Sequence, residues 1–100
     1  MTSRTVKVTN QLGLHARAAA RFVNVATKFA SQIRVARDAR VMDGKSIMGI
    51  LLLAAARGTS IVITAEGHDE MAAVAALTQL VEAGFGEAAA ESGPGESWNG

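Results

Sequence analysis

The chain has 100 residues and a formal net charge of +1, with 10 Lys and Arg against 9 Asp and Glu. This length suits one domain with its own core, and the near-neutral charge argues against a globally basic nucleic-acid-binding surface. There is no cysteine, which excludes disulfides, zinc–thiolate sites and thiol catalysis. The N-terminal segment lacks an apolar signal sequence, and the longest apolar run is too short to cross a bilayer, so we expect a cytoplasmic protein without membrane insertion.

The first half of the chain predicts a strand, a helix and a hairpin. Polarity alternates over Arg4–Val8, as in a half-buried strand. From Ala16 to about Ala30, apolar residues recur at the spacing of an amphipathic helix. Alternation returns over Gln32–Arg37, and Arg40–Asp43 forms a second short arm after a polar turn, so we interpret these two arms as a hairpin.

The second half predicts a short apolar helix, a strand and a final helix. Ser46 is a good N-cap for a helix over Ile47–Ala55, with Gly58 as its C-cap. Ser60–Glu66 alternates as a strand, and Met71–Ala83 carries an apolar stripe at helical spacing.

The predicted elements follow the order β-α-β-β-α-β-α, which indicates an α+β fold. A hairpin combined with crossovers predicts a four-stranded, mostly antiparallel sheet with three helices on one face, an open-faced β-sandwich. The end of the chain is rich in Gly and Ser, contains the only Pro and shows no apolar periodicity. We therefore predict one domain over residues 1–86 and a disordered tail over residues 87–100.

One histidine stands directly before the first predicted helix, in the stretch "GLHARAAA". The ring of His15 can lie over the backbone N–H groups of Ala16, Arg17 and Ala18, which favour an anion together with the helix dipole. The guanidinium of Arg17 matches phosphate oxygens, and a histidine nitrogen can accept a phosphoryl group. The alternative is that His15 is an exposed capping residue, and spacing alone favours this alternative.

Other chemistries have weaker support in the sequence. There is no G-x-S-x-G nucleophile elbow and no Walker A loop. The only other histidine, His68, lies in a separate acidic loop, so we expect neither a metal site nor a cofactor. A nucleic-acid-binding sheet would need aromatic residues on its strands, and none of the phenylalanines falls on a predicted strand. We therefore predict no nucleic-acid partner.

The helix predicted after Ser46 is apolar nearly all round. A helix on a single sheet buries only one side, so some of Ile47, Met48 and Leu51 must face solvent unless something covers them. An exposed apolar patch of this kind suggests a docking site, and the alternative is a more deeply packed helix. A phosphate on Ser46 would add about two negative charges beside this surface.

Three stretches, "GLHARAAARFV", "GKSIMGILLLAA" and "ITAEGHDE", together resemble the histidine-containing phosphocarrier (HPr) family of the bacterial phosphotransferase system. The resemblance spans roughly Arg4 to Gly84. It implies a carrier rather than an enzyme, in which His15 accepts a phosphoryl group at Nδ1 from phosphorylated enzyme I and passes it to a histidine of an enzyme IIA. Arg17 and the backbone N–H groups at the helix start would steady the phosphoryl group.

The same resemblance implies further roles. Ser46 would match the regulatory serine that a dedicated HPr serine kinase/phosphatase modifies. Docking residues shared by successive partners would be Ala20, Ile47, Met48 and Leu51, on a monomeric protein. A rival hypothesis is a regulatory protein-binding module whose affinity is switched by phosphorylation at Ser46 or His15.

One residue departs from the pattern of the sugar-transport members. These usually carry proline after the arginine, whereas this chain has Ala18. Alanine restores a backbone N–H that proline lacks. The stretch "HARAAA" resembles the nitrogen-related (NPr) branch at least as well, so the sequence leaves the sugar and nitrogen-related branches open.

Overall fold

The structure, a computed structural model, describes residues 1–87 of the chain. Its elements follow the predicted order: β1 (Thr2–Lys7), α1 (Ala16–Ala26), β2 (Gln32–Arg37), β3 (Arg40–Asp43), α2 (Ile47–Leu52), β4 (Ser60–Glu66), α3 (Glu70–Glu82) and a 3₁₀ turn (Gly84–Gly86). Residues 88–100, which include most of the predicted tail, lie outside the described residues.

The four strands form one sheet in the order β1-β4-β2-β3, and every neighbouring pair is antiparallel. Alternation along the strands decides which side faces the helices: Ile61 and Ile63 of β4 are buried, whereas Val62 between them is only partly covered. With three helices packed on the sheet, the open-faced β-sandwich predicted from the sequence is confirmed.

The hydrophobic core lies between the sheet and the helices. Its largest fully buried side chains come from the strands, from all three helices and from the loops that flank them: Phe22, Phe85, Ile33, Ile50, Leu53, Ile61, Ile63, Leu77, Val8, Val35, Val74 and Val81. Burying one such side chain on folding stabilises the folded state by about 1.5–3 kcal/mol. The core therefore holds α1 and α2 against each other and fixes the start of both helices.

Two helix ends differ from the prediction. α1 ends at Ala26 rather than near Ala30, and the following turn runs to Ser31, whose N–H donates to Asp69 Oδ1 at 2.9 Å. α2 ends at Leu52 rather than Ala55. The apolar spacing extends past both ends because an apolar residue that still packs against the core follows each helix, Phe29 after α1 and Leu53 after α2, although neither is helical.

Two arginines of the β2–β3 hairpin account for the early end of α2. Arg37 Nη1 donates to the carbonyl of Leu53 at 2.8 Å, and Arg40 Nη1 donates to the carbonyl of Leu52 at 3.0 Å. Cations are favourable at a helix C-terminus because they satisfy its last carbonyl groups. Ala54 then turns the chain at φ 52°, and Gly58, predicted as the C-cap, lies instead in the turn before β4.

The loop before α3 is tied to the loop after α1 through Asp69. Its carboxylate accepts hydrogen bonds from the Ser31 hydroxyl and from the backbone N–H groups of Ala30 and Ser31. The bond from the Ser31 hydroxyl, aided by the one from Ala30 N–H, lowers the pKa of Asp69 to about 2. Asp69 occupies the N-cap position of α3, but its side chain bonds to this neighbouring loop rather than to its own helix.

Candidate functional site

His15 occupies the N-cap position of α1. Its backbone is extended (φ −84°, ψ −179°), and its side chain makes no capping hydrogen bond to the helix. The first helical hydrogen bond runs from Ala19 N–H to the His15 carbonyl at 2.8 Å, so the N–H groups of Ala16, Arg17 and Ala18 precede the helical hydrogen-bond ladder. The structure therefore brings the imidazole and these three backbone donors to the same end of the helix.

The loop before α1 fixes the position of the His15 backbone. Gly13 has φ 67°, and a Cβ atom at that position would come within 2.5 Å of the Ala55 carbonyl oxygen. Leu14 N–H donates to that same carbonyl at 3.0 Å, and His15 N–H donates to the Gly13 carbonyl at 2.9 Å. Only glycine fits this approach, which places His15 relative to the segment that follows α2.

The imidazole of His15 contacts a carboxylate that the sequence had assigned to the tail. Its Nε2 lies 2.5 Å from Glu87 Oε2, and the two side chains are 28% and 21% exposed. The other carboxylate oxygen accepts from Asn10 Nδ2 at 3.3 Å, and this amide also donates to the Gly13 carbonyl at 2.7 Å. Both oxygens of Glu87 are thus engaged, and the first residue of the predicted tail belongs to the site.

Glu87 is carried by a short segment that we call the C-terminal strap, residues 84–87. Its second residue, Phe85, is completely buried, and the backbone is left-handed at three successive positions, with φ values of 67°, 60° and 73° over residues 84–86. Arg21 Nη1 donates to the Phe85 carbonyl at 2.5 Å. The buried ring and this hydrogen bond hold the strap against α1, so that Glu87 reaches His15.

The other predicted residues of α1 differ in exposure. Arg17 is exposed on the first turn, Ala18 is fully buried, and Ala20 is partly buried. The methyl group of Ala18 therefore packs in the core, whereas its N–H group is one of the three that precede the first helical hydrogen bond of α1.

The start of α2 carries Ser46 and the predicted docking residues. Ser46 is the N-cap, as predicted, and its hydroxyl accepts from Gly49 N–H at 3.0 Å. Ile47 and Met48 are 45% and 64% exposed, whereas Leu51 is partly buried. Leu52, which is not among the predicted docking residues, is 55% exposed. An apolar surface is therefore present on a helix that packs against α1.

Within residues 1–87, no helix is long and apolar enough to span a membrane. The same part of the chain contains no group of three or more His, Cys, Asp or Glu side chains that could hold a metal ion. His68 is exposed in its loop, away from the contacts made by His15.

Comparisons with known proteins find relatives over most of the chain. The family model described as "PTS HPr component phosphorylation site" matches residues 2–83. The phosphocarrier protein HPr of Neisseria meningitidis is 44% identical over 87 residues, covering 87% of this chain and 98% of that protein. The crystal structure of HPr-C-His from Thermoanaerobacter tengcongensis has a TM-score of 0.85 at 46% identity and covers 88% of this chain and 99% of the other. Crh, a catabolite repression protein of Bacillus subtilis solved as a swapped, intertwined dimer, has a TM-score of 0.69 at 37% identity, covering 84% and 97% of the two chains.

Proposed function

The chain belongs to the HPr phosphocarrier family of the phosphotransferase system, and we propose that it relays a phosphoryl group from phosphorylated enzyme I to an enzyme IIA through His15. The observation that carries this proposal is the imidazole of His15 at the open N-terminus of α1, next to three backbone N–H groups. Such a helix end favours negative charge, so a phosphoryl group on the ring is stabilised there. The protein acts as a carrier that alternates between free and phosphorylated forms, in the cytoplasm and as a monomer.

Each predicted residue has a definite task in this relay. His15 is the phosphoryl acceptor and donor, and the backbone N–H groups of Ala16, Arg17 and Ala18 form the anion site. The Arg17 guanidinium, on the exposed first turn, adds charge-assisted hydrogen bonds to phosphoryl oxygens. No cofactor is required, because the donor already carries an activated phosphoryl group.

The central experiment labels the protein with enzyme I and phosphoenolpyruvate and measures acid-labile, base-stable phosphate. We expect labelling of the wild type and of His68→Ala, because His68 lies in an exposed loop, and no labelling of His15→Ala. Equal labelling of His15→Ala and the wild type would exclude His15 as the acceptor. Adding an enzyme IIA to the labelled protein should then remove the label.

The branch is tested by the choice of partners in the same assay. Separate incubations with the enzyme I of a sugar-transporting system and with that of a nitrogen-related system give two labelling rates. The faster donor identifies the branch, which Ala18 alone leaves open between the sugar and nitrogen-related systems.

We assign partner docking to the apolar surface formed by Ala20, Ile47, Met48 and Leu51. Met48 is 64% exposed on α2, and Met71, on α3, is 75% exposed and serves as a matched control. We expect Met48→Glu to raise the KM of enzyme I for this protein about 10-fold, which corresponds to about 1.4 kcal/mol. Met71→Glu should leave the KM unchanged, and an equal rise for both variants would remove docking from this surface.

Ser46 is the proposed site of regulation by an HPr serine kinase/phosphatase. Its hydroxyl stands at the start of the docking helix, so a phosphate there adds negative charge beside Ile47 and Met48. Incubation with ATP and such a kinase should give an acid-stable phosphate on the wild type and none on Ser46→Ala. Absence of label on the wild type would remove this role.

The exposed apolar surface next to Ser46 also favours a second candidate function, a regulatory protein-binding module. The relative Crh, named for catabolite repression, is similar over most of the chain. The two functions differ in their need for His15. If the protein is a regulatory module, the His15→Ala variant should bind its partner as tightly as the wild type does. The affinity of both should depend on phosphorylation of Ser46.

A further inference from the structure

The C-terminal strap brings an internal carboxylate to the ring of His15. Residues 84–86 are all left-handed, and such a conformation is unfavourable for Phe85, which has a side chain at φ 60°. Complete burial of the Phe85 ring and the hydrogen bond from Arg21 to its carbonyl offset this cost. The strap therefore holds one defined conformation, and its last residue, Glu87, is presented to His15.

The contact selects one form of the imidazole. An ionised carboxylate only accepts hydrogen bonds, so His15 Nε2, at 2.5 Å from Glu87 Oε2, must carry the proton that it donates. In a neutral imidazole the lone pair then lies on Nδ1. Asn10 holds the other carboxylate oxygen, so the carboxylate stays directed at Nε2.

We propose that Glu87 is a positioning residue for phosphoryl transfer: it keeps the proton on Nε2 of His15 and makes Nδ1 the nitrogen that receives the phosphoryl group. This inference rests on the proposed phosphocarrier function and adds a residue beyond the predicted set. It corresponds to the task of a carboxylate that orients a catalytic histidine, which fixes the tautomer and stabilises the ring cation as it forms.

The transfer balances with Glu87 in this role. The Nδ1 lone pair of His15 forms a nitrogen–phosphorus bond while the nitrogen–phosphorus bond of the donor phosphohistidine breaks, and that electron pair stays on the donor nitrogen. The His15 ring thereby becomes an imidazolium that keeps its Nε2 proton, and the Glu87 carboxylate compensates the positive charge. Transfer to the acceptor histidine reverses these changes, and the proton never leaves Nε2.

The first test observes the ring itself, without any phosphoryl transfer. In ¹⁵N-labelled wild-type protein at alkaline pH, we expect NMR to show a protonated Nε2 with a hydrogen-bonded proton slow to exchange with solvent, and an unprotonated Nδ1. Glu87→Ala should lose the slow proton and show a mixture of tautomers. Glu82→Ala, which removes an exposed carboxylate from α3, is the matched control and should resemble the wild type.

The second test measures the single-turnover rate of phosphoryl transfer from enzyme I. We expect Glu87→Ala to slow the transfer about 10-fold with an unchanged KM, by analogy with the loss of about 10- to 100-fold when a carboxylate that orients a metal-bound histidine is removed. Glu87→Gln, which keeps the shape of the side chain but not its charge, should also be slow. Circular dichroism and thermal unfolding confirm that each variant is folded.

The outcomes separate this inference from the proposed function. A wild-type ring protonated on Nδ1, or wild-type transfer rates for Glu87→Ala, would overturn the role of Glu87. If the wild type and Glu82→Ala are not labelled by enzyme I at all, the proposed function fails and the role of Glu87 fails with it. Labelling of the wild type, together with slow phosphoryl transfer by folded Glu87 variants, would support both the proposed function and the role of Glu87.

Discussion

Substitutions of Ser46 separate its role as a helix cap from the effect that a negative charge at this position would have on docking. The hydroxyl accepts from Gly49 N–H at 3.0 Å, and α2 has only 6 residues and no acidic residue in its first turn. Ser46→Ala removes the acceptor, and loss of an N-cap serine costs about 1 kcal/mol of unfolding free energy. In a domain of this size, that loss lowers Tm by about 4–8 °C.

Ser46→Asp should behave differently, because aspartate is an equally good N-cap and its charge suits a helix N-terminus. We expect its unfolding free energy to stay within about 0.5 kcal/mol of the wild type. Its carboxylate, however, places a negative charge beside the exposed Met48. The KM of enzyme I should therefore rise for Ser46→Asp and stay unchanged for Ser46→Ala. Thermal unfolding measures the first effect and labelling kinetics measure the second.

Two results would refute this reasoning. A Ser46→Ala variant that unfolds at the wild-type temperature would show that the hydroxyl does not stabilise α2. Equal increases in KM for the alanine and aspartate variants would show that docking depends on the stability of the helix rather than on charge at its start.

Three further substitutions test the structure. Ala54→Gly should raise the unfolding free energy by about 0.5–1 kcal/mol in urea titrations, because Ala54 is exposed at φ 52°, where a Cβ atom is unfavourable. Because the pKa of Asp69 is lowered to about 2, its contribution to stability is complete above about pH 4 and is lost as the pH falls towards 2. Asp69→Asn should therefore lower Tm at neutral pH. The same variant should show a smaller fall of Tm between about pH 4 and pH 2 than the wild type. Phe85→Ala should cost about 3–5 kcal/mol, because the ring is completely buried, and should also abolish the slowly exchanging proton of His15, whereas Phe85→Leu should retain more of both.

The order of elements and the sheet could be predicted because period-two alternation and helical spacing were both clear. The ends of α1 and α2 could not, since apolar residues that contact the core, Phe29 and Leu53, follow the last helical residues, and the signals that end α2 come from elsewhere in the chain. For α2 these signals are Arg37 and Arg40, whose side chains reach the last carbonyl groups from a neighbouring hairpin. The sequence around the end of α2 carries no sign of a cap that comes from a neighbouring hairpin.

The candidate site was predicted in part. His15 and its helix start were visible in local sequence, because a helix terminus and its first residues are adjacent in the chain. Glu87 could not be predicted, because its contact with His15 joins residues 72 positions apart and a segment rich in glycine is typical of a tail. A usable signal was present, because Phe85 follows a predicted helix and large apolar side chains of this kind are often buried.

A carboxylate close to the proposed phosphoryl site repels negative charge, but the positions of the charges make it compatible with transfer. Nε2 and Nδ1 lie at different corners of the imidazole, so the ring and its proton separate Glu87 from a phosphoryl group on Nδ1. In the proposed transfer the ring becomes cationic, so the ring and Glu87 together would carry no net charge, and the helix N-terminus and Arg17 would stabilise the phosphoryl group. Removing Glu87 would leave the ring charge uncompensated without adding a donor for the phosphoryl oxygens. The effect of the substitution should therefore fall on the rate of transfer rather than on partner docking.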